Sequence, residues 1–227
     1  MMLTSVLFDL DGTLLDTVDD FMAIIDAMLR EHDRPLIDPK LVRSQVSDGS
    51  VGMLCSAFGM RPQDEGFDAL REDFLRRYTE QLATHTQPFP GIPELLDWLD
   101  AEGLPWGVVT NKMSRFSIPL IAAMGLSERC GTLICPDQVS QAKPHAEPVL
   151  KACAELGVEP SGCVFVGDHL RDIQSGHAAG TATVAALYGY IPAGDDPANW
   201  HATHSIKNAA ALRPWLETRR ATETTHV

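Results

Sequence analysis

Ser5-Val6-Leu7-Phe8-Asp9-Leu10-Asp11-Gly12-Thr13 joins a short apolar run, rich in β-branched and aromatic members, to a polar stretch that carries a glycine. The run reads as a buried strand and the stretch after it as the loop in which that strand ends. Runs of the same kind recur at Trp106 to Thr110, Thr132 to Cys135, Cys163 to Val166 and Thr183 to Leu187. Helix-length segments separate them: Ile92 to Glu102, Phe116 to Met124, and Glu147 to Leu156 ending at Gly157. Strands alternating with helices of this length imply βα units and a mostly parallel sheet.

Residues 16 to 87 break the alternation. Val18, Phe21, Met22, Ile25, Met28 and Leu29 recur at helical spacing behind Asp16, which is expected to cap that helix. Phe67, Leu70, Phe74, Tyr78 and Leu82 repeat the pattern, and Asp38-Pro39 reads as a cap followed by proline in the first helical position. The expected organisation is an α/β core formed by residues 1–15 and 88–217, a helical insert over 16–87, and a polar tail over 218–227.

The 227 residues are 44% hydrophobic and 22% charged, enough to bury a core, which excludes a wholly disordered chain. A formal net charge of −13 argues against a general nucleic-acid or anionic-membrane surface, because phosphates are repelled at long range. It leaves room for a small anionic ligand held by a local group of cations. Five cysteines without CxxC spacing suggest neither a disulfide framework nor a zinc ribbon, and a cytoplasmic location is expected. Asp9 and Asp11 come too early for a secretory signal, and no stretch reads as a membrane span. Oligomeric state is not legible.

Chemistry concentrates at the strand ends, where open α/β sheets bind ligands. Asp9-x-Asp11 alone is equally well explained as an Asx-turn. Thr110-Asn111 ends the next long run, Gly167-Asp168-His169-Leu170-Arg171-Asp172 follows another, and Lys143 lies in the loop after Thr132 to Cys135, with Pro144 beside it expected to start the next helix. If these strands are neighbours, Asp9, Asp11, Asp168 and Asp172 converge. Two like charges about 4 Å apart cost on the order of 4 kcal/mol at an effective dielectric of 20, so the cluster requires a cation. Oxygen-only ligands suit Mg²⁺, which typically takes one or two carboxylates together with a substrate phosphate. Lys143 supplies charge for phosphate oxygens and Thr110 a neutral donor.

These four segments, Asp9-x-Asp11-Gly12-Thr13, Thr110, Lys143 and Gly167-Asp168-x-x-x-Asp172, resemble in order and spacing the four motifs of the haloacid dehalogenase superfamily. The resemblance implies a Rossmann-like, doubly wound parallel sheet with a helical C1 cap inserted after the first strand. The insert, Thr110-Asn111-Lys112 and Gly189-Tyr190 are similar to the phosphoglycolate phosphatase branch. Asp9 is then the nucleophile that forms an aspartyl-phosphate, and Asp11 the general acid and base, with its carbonyl on the metal. Mg²⁺ is held by Asp9, Asp11, Asp168 and Asp172, while Thr110, Asn111 and Lys143 hold the phosphoryl oxygens.

Ser47, Asp48 and Gly49 form the expected substrate loop of the cap, because glycine and small polar side chains permit close backbone approach. Cys135-Pro136-Asp137, Arg171-Asp172-Ile173 and Asp195-Asp196-Pro197-Ala198-Asn199-Trp200 resemble the N-acetylmuramic acid 6-phosphate phosphatases within the branch. The expected reaction is Mg²⁺-dependent hydrolysis of a small phosphorylated organic or sugar acid, with N-acetylmuramic acid 6-phosphate first and phosphoglycolate second. A sugar phosphomutase, a dehalogenase and a non-catalytic binding protein on the same scaffold are the alternatives, although a dehalogenase has no need of Asp11. His169 is expected to point outward, His145 is ambiguous, and His201 and His204 are expected to lie in a loop and bind no metal.

Overall fold

The computed structural model describes residues 2–220. Eight strands, nine α-helices and five short 3₁₀ helices are assigned within them. Strands β1 (Ser5–Phe8), β4 (Trp106–Val109), β5 (Leu133–Ile134), β6 (Cys163–Gly167), β7 (Ala182–Ala186) and β8 (His204–Ile206) form one sheet in the order β5-β4-β1-β6-β7-β8. Every pairing in it is parallel. β1, β4 and β6 are buried at every position, as continuous apolar runs between two helical layers should be. Helices α5 (Ile92–Ala101), α6 (Ser114–Ala123), α7 (Glu147–Leu156), α8 (Leu170–Ala179) and α9 (Leu212–Arg220) flank the sheet. The α/β reading of the sequence and its parallel sheet are what the structure has.

Strand order reverses at β1. Phe8 pairs with Val108 on one side and Val166 on the other. The residues that follow each strand, Asp9, Thr110 and Asp168, therefore leave the sheet along one edge, at the point where α/β sheets open a crevice.

A two-residue ribbon, β2 (Leu15–Asp16) antiparallel to β3 (Gln87–Pro88), carries the chain away from this edge and back. Between its strands lie α1 (Val18–Glu31), α2 (Pro39–Arg43), α3 (Gly49–Phe58) and α4 (Phe67–Glu80). Their apolar faces share a hydrophobic cluster with residues of the sheet layer. Phe21 of α1 sits 4.9 Å from Tyr78 of α4, and Tyr78 lies 5.4 Å from Phe116 of α6, so aromatic rings join the two layers.

Four local expectations need correction. Asp16 does not cap α1: it lies in β2, and Thr17 occupies the cap position without a side-chain cap bond. The orphan amides of Thr17 and Val18 donate instead to the Tyr190 hydroxyl, at 2.6 and 3.1 Å. Pro144 does not open α7, which starts at Glu147. Helix α9 continues through Thr218, Arg219 and Arg220, which the sequence suggested were tail, and 221–227 lie outside the described residues. His204 belongs to β8, its ring stacked on Trp215 at 5.0 Å, rather than to a loop.

Two glycines close around one carboxylate. A Cβ on Gly12, whose φ is +88°, would stand 2.1 Å from Asp168 Oδ2, and one on Gly189 would meet Asp168 Cβ at 2.2 Å and the Gly12 carbonyl at 2.4 Å. Backbone blocks the second position, so the neighbours have no flexible side chain to move aside. Gly189→Ala is expected to cost about 1–3 kcal/mol through overpacking. Thermal unfolding would show this as a Tm several degrees lower, and an unchanged Tm would mean that the loop relocates freely.

Candidate active site

Asp9 follows β1, and its own N–H continues the ladder by donating to the Val166 carbonyl at 2.8 Å. Its Oδ1 accepts from the Leu10 N–H at 2.7 Å and lies 2.8 Å from Lys143 Nζ. The same ammonium lies 2.8 Å from Asp172 Oδ1 and donates to the Val109 carbonyl at 2.8 Å. Lys143 is only 4% exposed. The loop after β5 thus delivers one buried cation between the end of β1 and the first turn of α8.

Asp168 is fully buried and accepts from the Thr13 hydroxyl at 2.9 Å and the Tyr190 N–H at 2.6 Å. Asp172 is equally buried, and its Oδ2 accepts from the His169 N–H at 3.0 Å. One carboxylate oxygen each from Asp9, Asp168 and Asp172 lies within 4.8 Å of the others. Three carboxylates crowd together with one lysine that pairs with two of them, Asp9 and Asp172, all donors are hard oxygens, and glycines close around Asp168. That donor set fits a small divalent cation.

The electrostatics follow from burial and crowding. Burial pushes the Asp9 carboxyl up to about 6; Lys143 pulls the other way and Asp172 adds to the rise. Burial, then the neighbouring charges of Asp9 and Asp172, hold Asp168 well above the usual carboxylate range. Burial disfavours the charge on Lys143, but Asp172 and Asp9 outweigh it and keep the ammonium above its ordinary value.

Asp11 is turned elsewhere. Its Oδ1 accepts from the Thr17 hydroxyl at 2.7 Å and from Lys112 Nζ at 2.9 Å, so its carboxylate stands outside the acidic cluster. Lys112 Nζ lies 4.9 Å from the centre of the Phe21 ring and 4.7 Å from that of Tyr78. Burial works against this lysine as well, yet the charge of Asp11 keeps its pKa above the ordinary value. Lys112 went unassigned in the sequence reading. Its only signals there were its place two residues beyond Thr110 and the likeness of Thr110-Asn111-Lys112 to the phosphoglycolate phosphatase branch.

Thr110 is buried, and its Oγ1 accepts from the Lys112 N–H at 3.1 Å, which leaves the hydroxyl proton free to donate. Asn111 is committed at its side chain: Nδ2 donates to the Lys143 carbonyl at 3.0 Å and Oδ1 accepts from the Lys143 N–H at 3.2 Å. Its amide side chain thus holds the lysine loop, and its backbone N–H remains available to a ligand.

Asp9, Asp11, Thr110, Asn111, Lys112 and Lys143 border a cavity of about 250 Å³ that also takes in Ser47, Asp48 and Gly49. Asp48 forms an ion pair with Arg171 at 3.6 Å. His169 lines this cavity rather than pointing outward, because its Nδ1 caps α8 by accepting from the Arg171 N–H at 3.1 Å. Burial, then the Arg171 charge, lower its pKa to about 4, so the ring is neutral near pH 7. His145 is exposed, with Nδ1 accepting from the Glu147 N–H at 3.2 Å. The model of the haloacid dehalogenase-like hydrolases matches residues 6–186. The chain is 48% identical over 217 residues to the N-acetylmuramic acid 6-phosphate phosphatase of Pseudomonas putida, covering 96% of this chain and 97% of that one. It is 42% identical over 208 residues to a phosphoglycolate phosphatase of Xanthomonas campestris pv. campestris, with 92% and 94% covered. The crystal structure of a predicted phosphoglycolate phosphatase from Haemophilus somnus superposes with a TM-score of 0.83 at 26% identity, over 95% of this chain and 98% of that one. Sequence, sheet order and the convergence of four strand ends agree, and the chain belongs to the haloacid dehalogenase-like hydrolase family.

Proposed function

We propose that the protein is a Mg²⁺-dependent phosphomonoesterase that works through an aspartyl-phosphate on Asp9. The observation that carries this reading is Lys143 Nζ, equidistant at 2.8 Å from Asp9 and Asp172 at the cavity floor, beside three carboxylates clustered within 4.8 Å. Asp9, Asp168, the Asp11 carbonyl and Asp172 would hold the ion. When bound, Mg²⁺ neutralises the repulsion between an anionic nucleophile and a phosphate dianion.

The chain's own groups divide the remaining work. Lys143 and the Leu10 N–H fix Asp9 Oδ1, which orients the carboxylate for attack on phosphorus. As the Asp9–phosphorus bond forms, the ester bond breaks and the leaving alkoxide takes its proton from Asp11. Water then gives a proton to Asp11 while its oxygen bonds to phosphorus, and the acyl-phosphate bond breaks to return Asp9. Lys112 and the Thr17 hydroxyl, both donating to Asp11, fix the position of its carboxylate for these two transfers. Thr110 Oγ–H, the Asn111 N–H and Lys143 donate to the transferring phosphoryl oxygens. The helices over 16–87 act as a cap, with Ser47, Asp48 and Gly49 above the phosphate. Five free thiols suit a reducing cytoplasm. Among the described residues no helix is long and apolar enough to cross a membrane.

For substrate we place N-acetylmuramic acid 6-phosphate first, in the recycling of cell-wall sugars. The 48% identity to a phosphatase of that name supports it, as do the aromatic walls Phe74, Tyr78 and Phe116, on which a sugar ring can pack. Phosphoglycolate stands second, on the 42% relative that bears that activity in its name.

Asp9→Asn is expected to abolish turnover of both an aryl phosphate and the sugar phosphate while leaving the circular dichroism spectrum unchanged. Any rate above a small residue removes Asp9 as nucleophile. In parallel assays, kcat/KM for N-acetylmuramic acid 6-phosphate should exceed that for phosphoglycolate at least tenfold, about 1.4 kcal/mol of transition-state discrimination. The reverse order reassigns the substrate.

A pH dependence follows from the raised carboxyls. Asp9 and Asp168 bind protons more tightly folded than unfolded. Their contribution to metal-free stability is present below the unfolded carboxyl value and is lost as pH rises through the folded ones. Thermal unfolding in a chelator should therefore show this contribution falling away from pH 4 to pH 6 and above, and the Tm gained on adding Mg²⁺ should be larger near pH 7.5 than near pH 5. Equal gains at both pH values would contradict the assignment of these carboxylates to the ion.

A further inference from the structure

Five cationic side chains line the cavity: Arg71, Lys112, Arg115, Lys143 and Arg171. Three are spoken for. Lys143 holds Asp9 and Asp172, Lys112 holds Asp11, and Arg171 pairs with Asp48. Arg71 and Arg115 have no carboxylate partner among the described residues. Arg71 donates from Nε to Ser50 Oγ at 3.0 Å, and the Arg115 guanidinium lies 4.6 Å from the centre of the adjoining Phe116 ring. Acidic residues outnumber basic ones 31 to 18 in this chain, so partners were not scarce. Two guanidinium groups nonetheless face one cavity with their terminal nitrogens unspent.

The placement of Arg71 defines a direction. Arg71 and Tyr78 stand seven residues apart on α4, about 10 Å along the helix axis. The Tyr78 ring touches Lys112, and Lys112 touches Asp11, so Tyr78 marks the chemical end of the cavity and Arg71 the far end. Phe74 and Leu75 line the stretch between them. Arg115 comes from the first turn of α6 in the sheet layer, whereas Arg71 belongs to the helical layer.

We propose that Arg71 and Arg115 form a subsite for a carboxylate carried by the substrate at the end remote from its phosphate. The proposal rests on the phosphomonoesterase reading above and sharpens its substrate class. The planar guanidinium fork matches a carboxylate through paired N–H donors, and a carboxylate received from both layers would hold them together over the bound ester. An acid group next to the ester carbon, as in phosphoglycolate, stays at the phosphate end. A lactyl carboxylate carried across a sugar ring extends along the Phe74–Leu75 wall toward the arginines.

The test compares N-acetylmuramic acid 6-phosphate with N-acetylglucosamine 6-phosphate, which differ only by the lactyl ether. The full chain, Arg71→Met and Arg115→Met are assayed on both. The readout is the ratio of the two kcat/KM values. The unaltered protein should favour the lactyl sugar, and each variant should lower the ratio by about tenfold to a hundredfold, the worth of a charge-assisted hydrogen bond, chiefly through KM. Arg71→Lys should recover part of the ratio. A general structural defect would depress both substrates alike and leave the ratio in place. An unmoved ratio in both variants overturns the subsite, as does an unaltered protein indifferent to the lactyl group. Failure of the phosphatase reading is separately visible, because the unaltered protein would then release no phosphate from para-nitrophenyl phosphate.

Discussion

A single buried ammonium decides the arrangement. Lys143 reaches two carboxylates and a backbone carbonyl from a position nearly without solvent, and its partners belong to β1, β4 and the start of α8. Removing a partner from a buried ion pair typically costs about 3–5 kcal/mol, because the charge left behind has no water to turn to. The loop after β5, the end of β1 and the first turn of α8 are therefore held in one mutual position, and the side chain of Asn111 fixes the lysine loop from the β4 side. Asp168 then has nowhere to go: two glycines and the Tyr190 N–H enclose it.

From this frame the two acids of Asp9-x-Asp11 acquire different surroundings. Asp9 lies deep, where burial raises its pKa and Lys143 restrains it. Asp11 lies toward the helical layer, bonded to Thr17 and Lys112 beneath the rings of Phe21 and Tyr78. Carboxylates so placed can take on separate tasks. The division is made by tertiary neighbours and not by the residues themselves, since both are aspartates two positions apart.

That contrast also explains what the chain disclosed on reading. The buried strands were legible because each is an uninterrupted apolar run bounded by polar turn residues, and a parallel sheet demands that pattern. Asp9, Thr110, Lys143 and Asp168 could be picked out because each follows a run and because an unneutralised acidic group is physically untenable. Lys112, Arg71 and Arg115 carried no such mark: their significance lies in partners far away in sequence, or in having none. Asp16 misled for a related reason. A local rule makes it a helix cap, but the Tyr190 hydroxyl, 174 positions distant, donates to its Oδ1 at 2.6 Å and takes over the helix amides. The histidine at 169 looked like a surface residue until its role at the start of α8 turned it into the cavity.

Tyr190 has a wider consequence. Its backbone N–H holds Asp168 at 2.6 Å, and its hydroxyl, at the far end of a rigid ring, receives the first amides of α1 and binds Asp16. A phenol ring cannot stretch, so the setting of the buried Asp168 carboxylate and the entry of the first helix are anchored to the two ends of the same residue. The chemical floor and the helical roof are thus mechanically linked through the body of one amino acid.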